Sequence, residues 1–255
     1  MMQPTTTAEG VGAFRQALAF LTPLGGSAVP TPAALRWFGI VGALVGATVG
    51  TVWWGAAQLL PLPVAAVVAV TADAALTGFL HLDGLSDTAD GLVPPLPAER
   101  RLAVMSDPRA GAFGVVTVVV ALLLRASVFA TLDPDPRTIL AVAALWSTAR
   151  TAMAVAARSV PYARPTGLAT AFLGPAPARA WMGTAATGAA LALVLGGLGT
   201  VPATRGLLAV VAAAIGAAIV VTFARGRIGG FTGDVLGAAG VVAETTGLVL
   251  LVVRA

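Results

Sequence analysis

The chain has 255 residues, of which 58% are hydrophobic and only 10% charged, with a mean hydropathy of +0.92 and a net charge of +4. A soluble domain carries about 25% charged residues, so a soluble fold is excluded and an all-α, polytopic membrane bundle is expected. The absence of cysteine and the single histidine, His81, exclude disulfide, thiolate and multi-histidine metal chemistry, and the scattered arginines are a topology signal with no nucleic-acid footprint.

Residues 13–22 (AFRQALAFLT) are apolar but too short to span, and read as an interfacial or re-entrant helix. Seven spans follow, near 37–59, 62–80, 110–131, 138–157, 179–199, 205–223 and 233–253, each close to the ~20 residues that a bilayer core demands. The first carries Gly39, Gly42, Gly46 and Gly50 on one face, a seam that asks for close helix packing. The last carries Gly233, Gly237, Gly240 and Gly247 on the face of Glu244. Both seams admit a homo-oligomer. Asp73, Arg125, Arg150 and Glu244 fall within spans, where an acid either pairs with an arginine or serves the function.

An N-terminus in the cytoplasm places Arg15, Arg36, Arg100, Arg101, Arg109, Arg158, Arg164, Arg179, Arg225 and Arg227 on the cytoplasmic side. Only Arg137, Arg205 and Arg254 then lie outside, as the positive-inside rule requires. The chain reads as a single membrane-embedded domain, 1–255. Segments 81–109, 158–178 and 225–233 all meet at its cytoplasmic face.

Three of the eleven carboxylates stand within residues 83–90. Asp83, Asp87 and Asp90 are spaced i, i+4, i+7, which on a helix puts them within an arc of roughly 60°, with Leu82, Leu85, Ala89 and Leu92 opposite. Like charges so close repel, and such a cluster persists around a cation. Oxygen-only ligands select a hard one, Mg²⁺ before Mn²⁺ or Ca²⁺. His81 lies on the opposite face of a continuous helix, and a break at Gly84 would bring it to the aspartates. Asp107 and Arg109 offer a further ligand and a phosphate clamp. Arg227, Gly229 and Gly230 form a glycine-rich cradle beside Asp234, and Arg164 stands between two prolines.

The run Thr77–Gly91, TGFLHLDGLSDTADG, resembles the signature of the cobalamin synthase family, the adenosylcobinamide-GDP ribazoletransferases. Further stretches resemble that family in the same order: FLTP from Phe20, GIVGALVG from Gly39, MSDPRAG from Met105, PYARPTGL from Pro161 and GGFTGDVLGA from Gly229. Two departures stand out. Phe79 replaces the second glycine of the family's Gly-Gly pair, and an N-terminal arginine is missing from Leu21-Thr22-Pro23-Leu24-Gly25.

The resemblance implies transfer of the adenosylcobinamide-phosphate group from adenosylcobinamide-GDP to α-ribazole or its 5′-phosphate. GMP is released, in a Mg²⁺-dependent reaction at the bacterial inner membrane. On that reading Asp83, Asp87, Asp90, Asp107 and Asp234 are the metal ligands. Arg109, Arg164 and Arg227, with Gly229 and Gly230, bind phosphate. Asp87 or Asp90 takes the hydroxyl proton, and His81 is a further catalytic candidate. Two other classes compete. Asp87-Thr88-Ala89-Asp90-Gly91 matches the opening of the CDP-alcohol phosphotransferase signature, but Pro94-Pro95 stands where its continuation should be. A cation transporter would set its acids near the bilayer midplane rather than at a span's end.

Overall fold

The computed structural model describes residues 7–174, 180–200 and 202–253. Arg179, Arg254 and the stretch 175–178 of the second site segment lie outside the described residues. Ten α-helices account for most of the chain: α1 (Thr7–Leu21), α2 (Phe38–Ala57), α3 (Leu62–Leu76), α4 (Leu80–Leu92), α5 (Ala98–Val104), α6 (Ala112–Phe129), α7 (Arg137–Ser159), α8 (Ala180–Leu198), α9 (Ala203–Ile228) and α10 (Gly233–Leu251). Among the described residues there is no strand, only a lone bridge between Tyr162 and Phe231.

Among the described residues six helices, α2 and α6 to α10, are long and apolar enough to cross a membrane, and α3 with α4 makes a seventh if that bent pair is one span. The expected span at 62–80 is different. Its helix α3 stops at Leu76, and its 15 residues reach only about 22 Å at 1.5 Å per residue, short of a ~30 Å hydrocarbon core. The chain then bends by 88° into α4. The bend is made by two successive left-handed residues, Gly78 (φ 59°) and Phe79 (φ 60°). The Phe79 amide donates to the Ala74 carbonyl at 2.8 Å and closes the end of α3. An L-residue with a side chain is disfavoured in this region by roughly 1–2 kcal/mol, which glycine avoids.

α1 begins earlier than expected, at Thr7 rather than 13, and buries Ala13, Ala17 and Leu21 along one stripe. The α2 glycines meet α7: a Cβ on Gly46 would lie 2.7 Å from the Trp146 Cβ, and one on Gly50 would lie 2.9 Å from the Ile139 Cα. Three of the α10 glycines are likewise covered, Gly237 by the His81 backbone, Gly240 by Arg150 and Met153, and Gly247 by Leu145 and Ala209. These seam glycines are used in helix packing within the chain, while Gly233 meets nothing within 4 Å.

At the heart of the bundle lies a closed ionic network. Arg125 Nη1 contacts Asp73 Oδ2 at 2.7 Å, and Glu244 bridges Arg125 and Arg150 through its two oxygens. The Trp146 indole donates to Asp73 Oδ1 at 2.7 Å, while Arg125 also donates to Thr245 Oγ1 and the Val241 carbonyl. An isolated buried charge costs several kcal/mol, and it is tolerated only when paired and hydrogen-bonded. Here two arginines meet two acids, and the network joins α3, α6, α7 and α10. Of the two roles open to Glu244, the structure shows the ion pair.

Candidate active site

α4 leaves α3 at 88°. It lies across one end of the bundle, against the first turns of α6 and α10. It is unbroken through Gly84, so the break lies at Gly78–Phe79. Gly84 is where α4 and α10 touch. A Cβ there would lie 2.8 Å from the Asp234 carbonyl oxygen and 3.0 Å from its Cα. Leu85 on the inner side packs with Ala121, Ala238 and Val241. With that face held down, Asp83 and Asp87 point away from the core, Asp83 exposed and Asp87 half-buried.

The three aspartates of the arc do not share one environment. Asp90 is buried, and its two oxygens accept from the backbone amides of Gly111 (2.7 Å) and Gly114 (2.9 Å). It therefore caps the N-terminus of α6 from another helix, where orphan amides and the helix dipole favour a carboxylate. Asp87 is the perturbed member. Burial, then the neighbouring Asp83 and Asp234 carboxylates, push its pKa up to about 6, against the opposing pull of Arg164.

Asp234 reaches this cluster from the first turn of α10. Thr232 caps that helix, accepting from the Val235 amide at 3.3 Å and donating to Asp234 Oδ2 at 3.1 Å. Arg164 Nη2 sits 3.0 Å from Asp234 Oδ2 and donates to the Met105 carbonyl at 3.3 Å, while its buried Nε has no partner among the described residues. Arg164 is placed by the bridge between two loops. The Phe231 amide donates to the Pro161 carbonyl at 2.9 Å, and the Ala163 amide donates to the Phe231 carbonyl at 2.8 Å. Gly230 permits that approach, since a Cβ would lie 3.3 Å from the Ala163 nitrogen and closer still to Pro161. Gly229, at φ 77°, ends α9 as its left-handed cap. Both glycines thus hold the loops together.

The other candidates stand apart. Arg227 is exposed and lies over the Phe223 ring of its own helix, 4.9 Å from the centroid. Asp107 and Arg109 are locked to each other by a two-pronged exposed pair (2.9 and 2.7 Å), which holds the Asp107 carboxyl down at about 2. Asp107 is not among the charges acting on Asp87. His81 faces inward, its Nδ1 3.3 Å from Arg150 Nη2. Arginine can only donate, so Nδ1 accepts and the ring is neutral. The imidazole is thus joined to the buried network and turned away from the aspartates.

Sequence reasoning missed Arg101. Its buried guanidinium donates to the carbonyls of Gly91, Leu92 and Pro94 (3.0, 3.0 and 3.2 Å), closing the end of α4. An arginine about ten residues after a helix is a weak signal, because only the fold of the turn brings it back.

The family model for CobS, cobalamin-5-phosphate synthase, matches residues 13–252. The chain belongs to this family. Its relatives include the adenosylcobinamide-GDP ribazoletransferase of Pseudomonas paraeruginosa, 38% identical over 95% of this chain and 98% of that one. Proteins of the same name from Leptothrix cholodnii (36% identical, 81% of this chain and 80% of that one) and from a Roseiflexus species (34%, 94% and 89%) are also similar. No solved structure matches. Membership of the synthase family decides against the CDP-alcohol phosphotransferase and the transporter.

The donor chemistry of Asp83, Asp87 and Asp234 suits the hard cation expected of the family, all three supplying oxygen. Among the described residues the side chains as they stand do not converge into a closed metal site. What fits a cation is the excess of negative charge around Asp87.

Proposed function

We infer that this chain is an adenosylcobinamide-GDP ribazoletransferase, joining adenosylcobinamide-GDP to α-ribazole with release of GMP. The observation that carries this reading is the signature helix α4, with Asp83 and Asp87 beside Asp234 and Arg164 at one end of the bundle. Displacement at a pyrophosphate asks little covalent chemistry of a protein; it asks for positioning and for stabilisation of developing charge.

Each residue then has a task. Asp83, Asp87 and Asp234 would hold Mg²⁺, which when bound neutralises pyrophosphate charge. Arg164 has its Nε uncommitted and contributes a phosphate contact beside the carboxylates. Asp87 or Asp90 would take the acceptor's hydroxyl proton. Asp90 and Arg101 hold α4 at its far end.

The site end is proposed to face the cytoplasm of the bacterial inner membrane. Among the described residues Arg15, Arg36, Arg100, Arg101, Arg109, Arg158, Arg164, Arg225 and Arg227 lie toward that end of the helices, and only Arg137 and Arg205 toward the other. The deciding assay incubates the protein in lipid nanodiscs with adenosylcobinamide-GDP, α-ribazole and Mg²⁺. GMP and a cobamide should appear together; no GMP release would refute the reading. Replacing Mg²⁺ by a chelator should abolish release, and unchanged turnover would remove the metal from it.

A further inference from the structure

A groove of about 690 Å³ opens beside Asp83, between α3, α4 and α6. Its walls are apolar along most of their length, with Val115 and Val119 from α6 and Leu82 from α4. Polar groups gather where Asp83 and Ser86 meet it. Asp83 therefore belongs to both the groove and the carboxylate cluster, and a molecule lying in the groove touches the site.

Phe79 forms part of the same wall. It is the one non-glycine among the described residues with a left-handed backbone, and its side chain is 58% exposed. Core packing does not repay the strain of holding a phenylalanine there. Backbone strain without a packing return points to a role outside the fold. The ring stands at the start of α4, one turn before Asp83.

We propose that this groove is the acceptor's base subsite, with Phe79 and Leu82 forming a flat apolar wall for an uncharged aromatic base. This rests on the ribazoletransferase reading. The donor's pyrophosphate is drawn to the arginine side, at Arg164. The acceptor must bring a sugar hydroxyl to the carboxylates while its base finds a surface that excludes water. A flat ring against Phe79 leaves the attached ribose beside Asp83 and Ser86. Aromatic stacking tolerates many rings but favours those with few polar atoms to desolvate, so Phe79 sets acceptor preference.

The test is steady-state GMP release in nanodiscs of fixed lipid composition, with wild type, Phe79→Gly and Phe79→Asn. Both variants suit a left-handed backbone and keep the fold. KM for α-ribazole should rise about tenfold, within the range for loss of one base–aromatic stack. KM for adenosylcobinamide-GDP and kcat should stay within about twofold of wild type, because the variants leave the charged groups in place. Wild type should also prefer α-ribazole over an acceptor with a polar purine base, and the variants should lose that preference.

Unchanged acceptor KM and preference would overturn the proposal and leave Phe79 as a bilayer anchor. So would an effect that changing the lipid alone reproduces. A wild type that releases no GMP defeats the reaction reading instead. Equilibrium dialysis of α-ribazole against the same proteins then decides the groove: weaker binding to Phe79→Gly supports it, and equal binding overturns it.

Discussion

The chain carries two clusters of charge, little more than one helix diameter apart, built on opposite principles. The inner one is closed. Asp73, Arg125, Glu244 and Arg150 balance two against two, and His81 accepts from the last. The outer one is open. Asp83, Asp87 and Asp234 face one arginine, and that arginine keeps a buried donor without a partner. A closed network holds helices and has no charge to spare for a ligand. An unbalanced one holds helices poorly and leaves charge to spare. The α4 helix belongs to both, with His81 on the inner face and Asp83 and Asp87 on the outer.

The sharpest way to break this contrast is Glu244→Ala. It leaves two buried guanidinium groups without their shared acid, and breaking a buried pair costs about 3–5 kcal/mol. Unfolding in micelles should show that loss, and a stable, fully active variant would mean that the inner network is not the scaffold. Asp87→Asn should do the reverse. Turnover should drop at least about a hundredfold, the scale of a lost catalytic base, while thermal stability holds or rises. A variant that melts early and keeps its rate would exchange the roles of the two clusters.

A pH series sharpens the second result. Turnover, which needs the ion, should fall as pH drops and the carboxylates that hold it are protonated, whereas in the cation-free protein Asp87 is raised to about 6. Stability without a cation should run the other way. A carboxyl whose pKa is higher in the fold than in the unfolded chain binds more protons when folded, so stability declines as pH rises from about 4 to about 6. Melting curves in chelator should show this slope, and Asp87→Asn should flatten it.

Two smaller effects complete the series. Phe79→Gly should gain about 1 kcal/mol by releasing a left-handed phenylalanine, read as a higher melting temperature. Arg109→Ala should leave melting unchanged, because the Arg109 side chain is 86% exposed and surface pairs contribute little. A large destabilisation would show that the loop after α5 is docked more firmly than its exposure indicates.

Much of this was legible before any coordinates. Hydropathy located the spans because a bilayer requires long apolar helices, and α2, α6 and α7 begin and end within a few residues of expectation. The i, i+4, i+7 spacing was right about the helix but blind to its ends. Periodicity says which residues share a face and nothing about what meets that face. Hence the arc gives no sign that Asp90, still close enough to act on Asp87, also caps α6 through Gly111 and Gly114. The same blindness made Gly229 and Gly230 resemble a phosphate cradle. A glycine at a helix cap and a glycine at a close backbone approach read alike in sequence. His81 could be placed opposite the aspartates by angle alone, but Arg150 is a contact 69 residues away.

The contact at Gly84 carries one consequence for how the signature is read. The residue after Asp83 supplies no ligand and no proton, yet it sets the gauge of the site. With no side chain between them, α4 rests on the Asp234 backbone, and on the proposed reading that separation would decide whether carboxylates from two helices can grip one ion. Gly84→Ala would act as a shim. Every charged group would survive, and the two helices would have to part by about an ångström to seat a Cβ that otherwise lies 2.8 Å from the Asp234 carbonyl oxygen. Enzyme of that kind should fold and still respond to pH, but it should need far more Mg²⁺ to reach half its maximal rate.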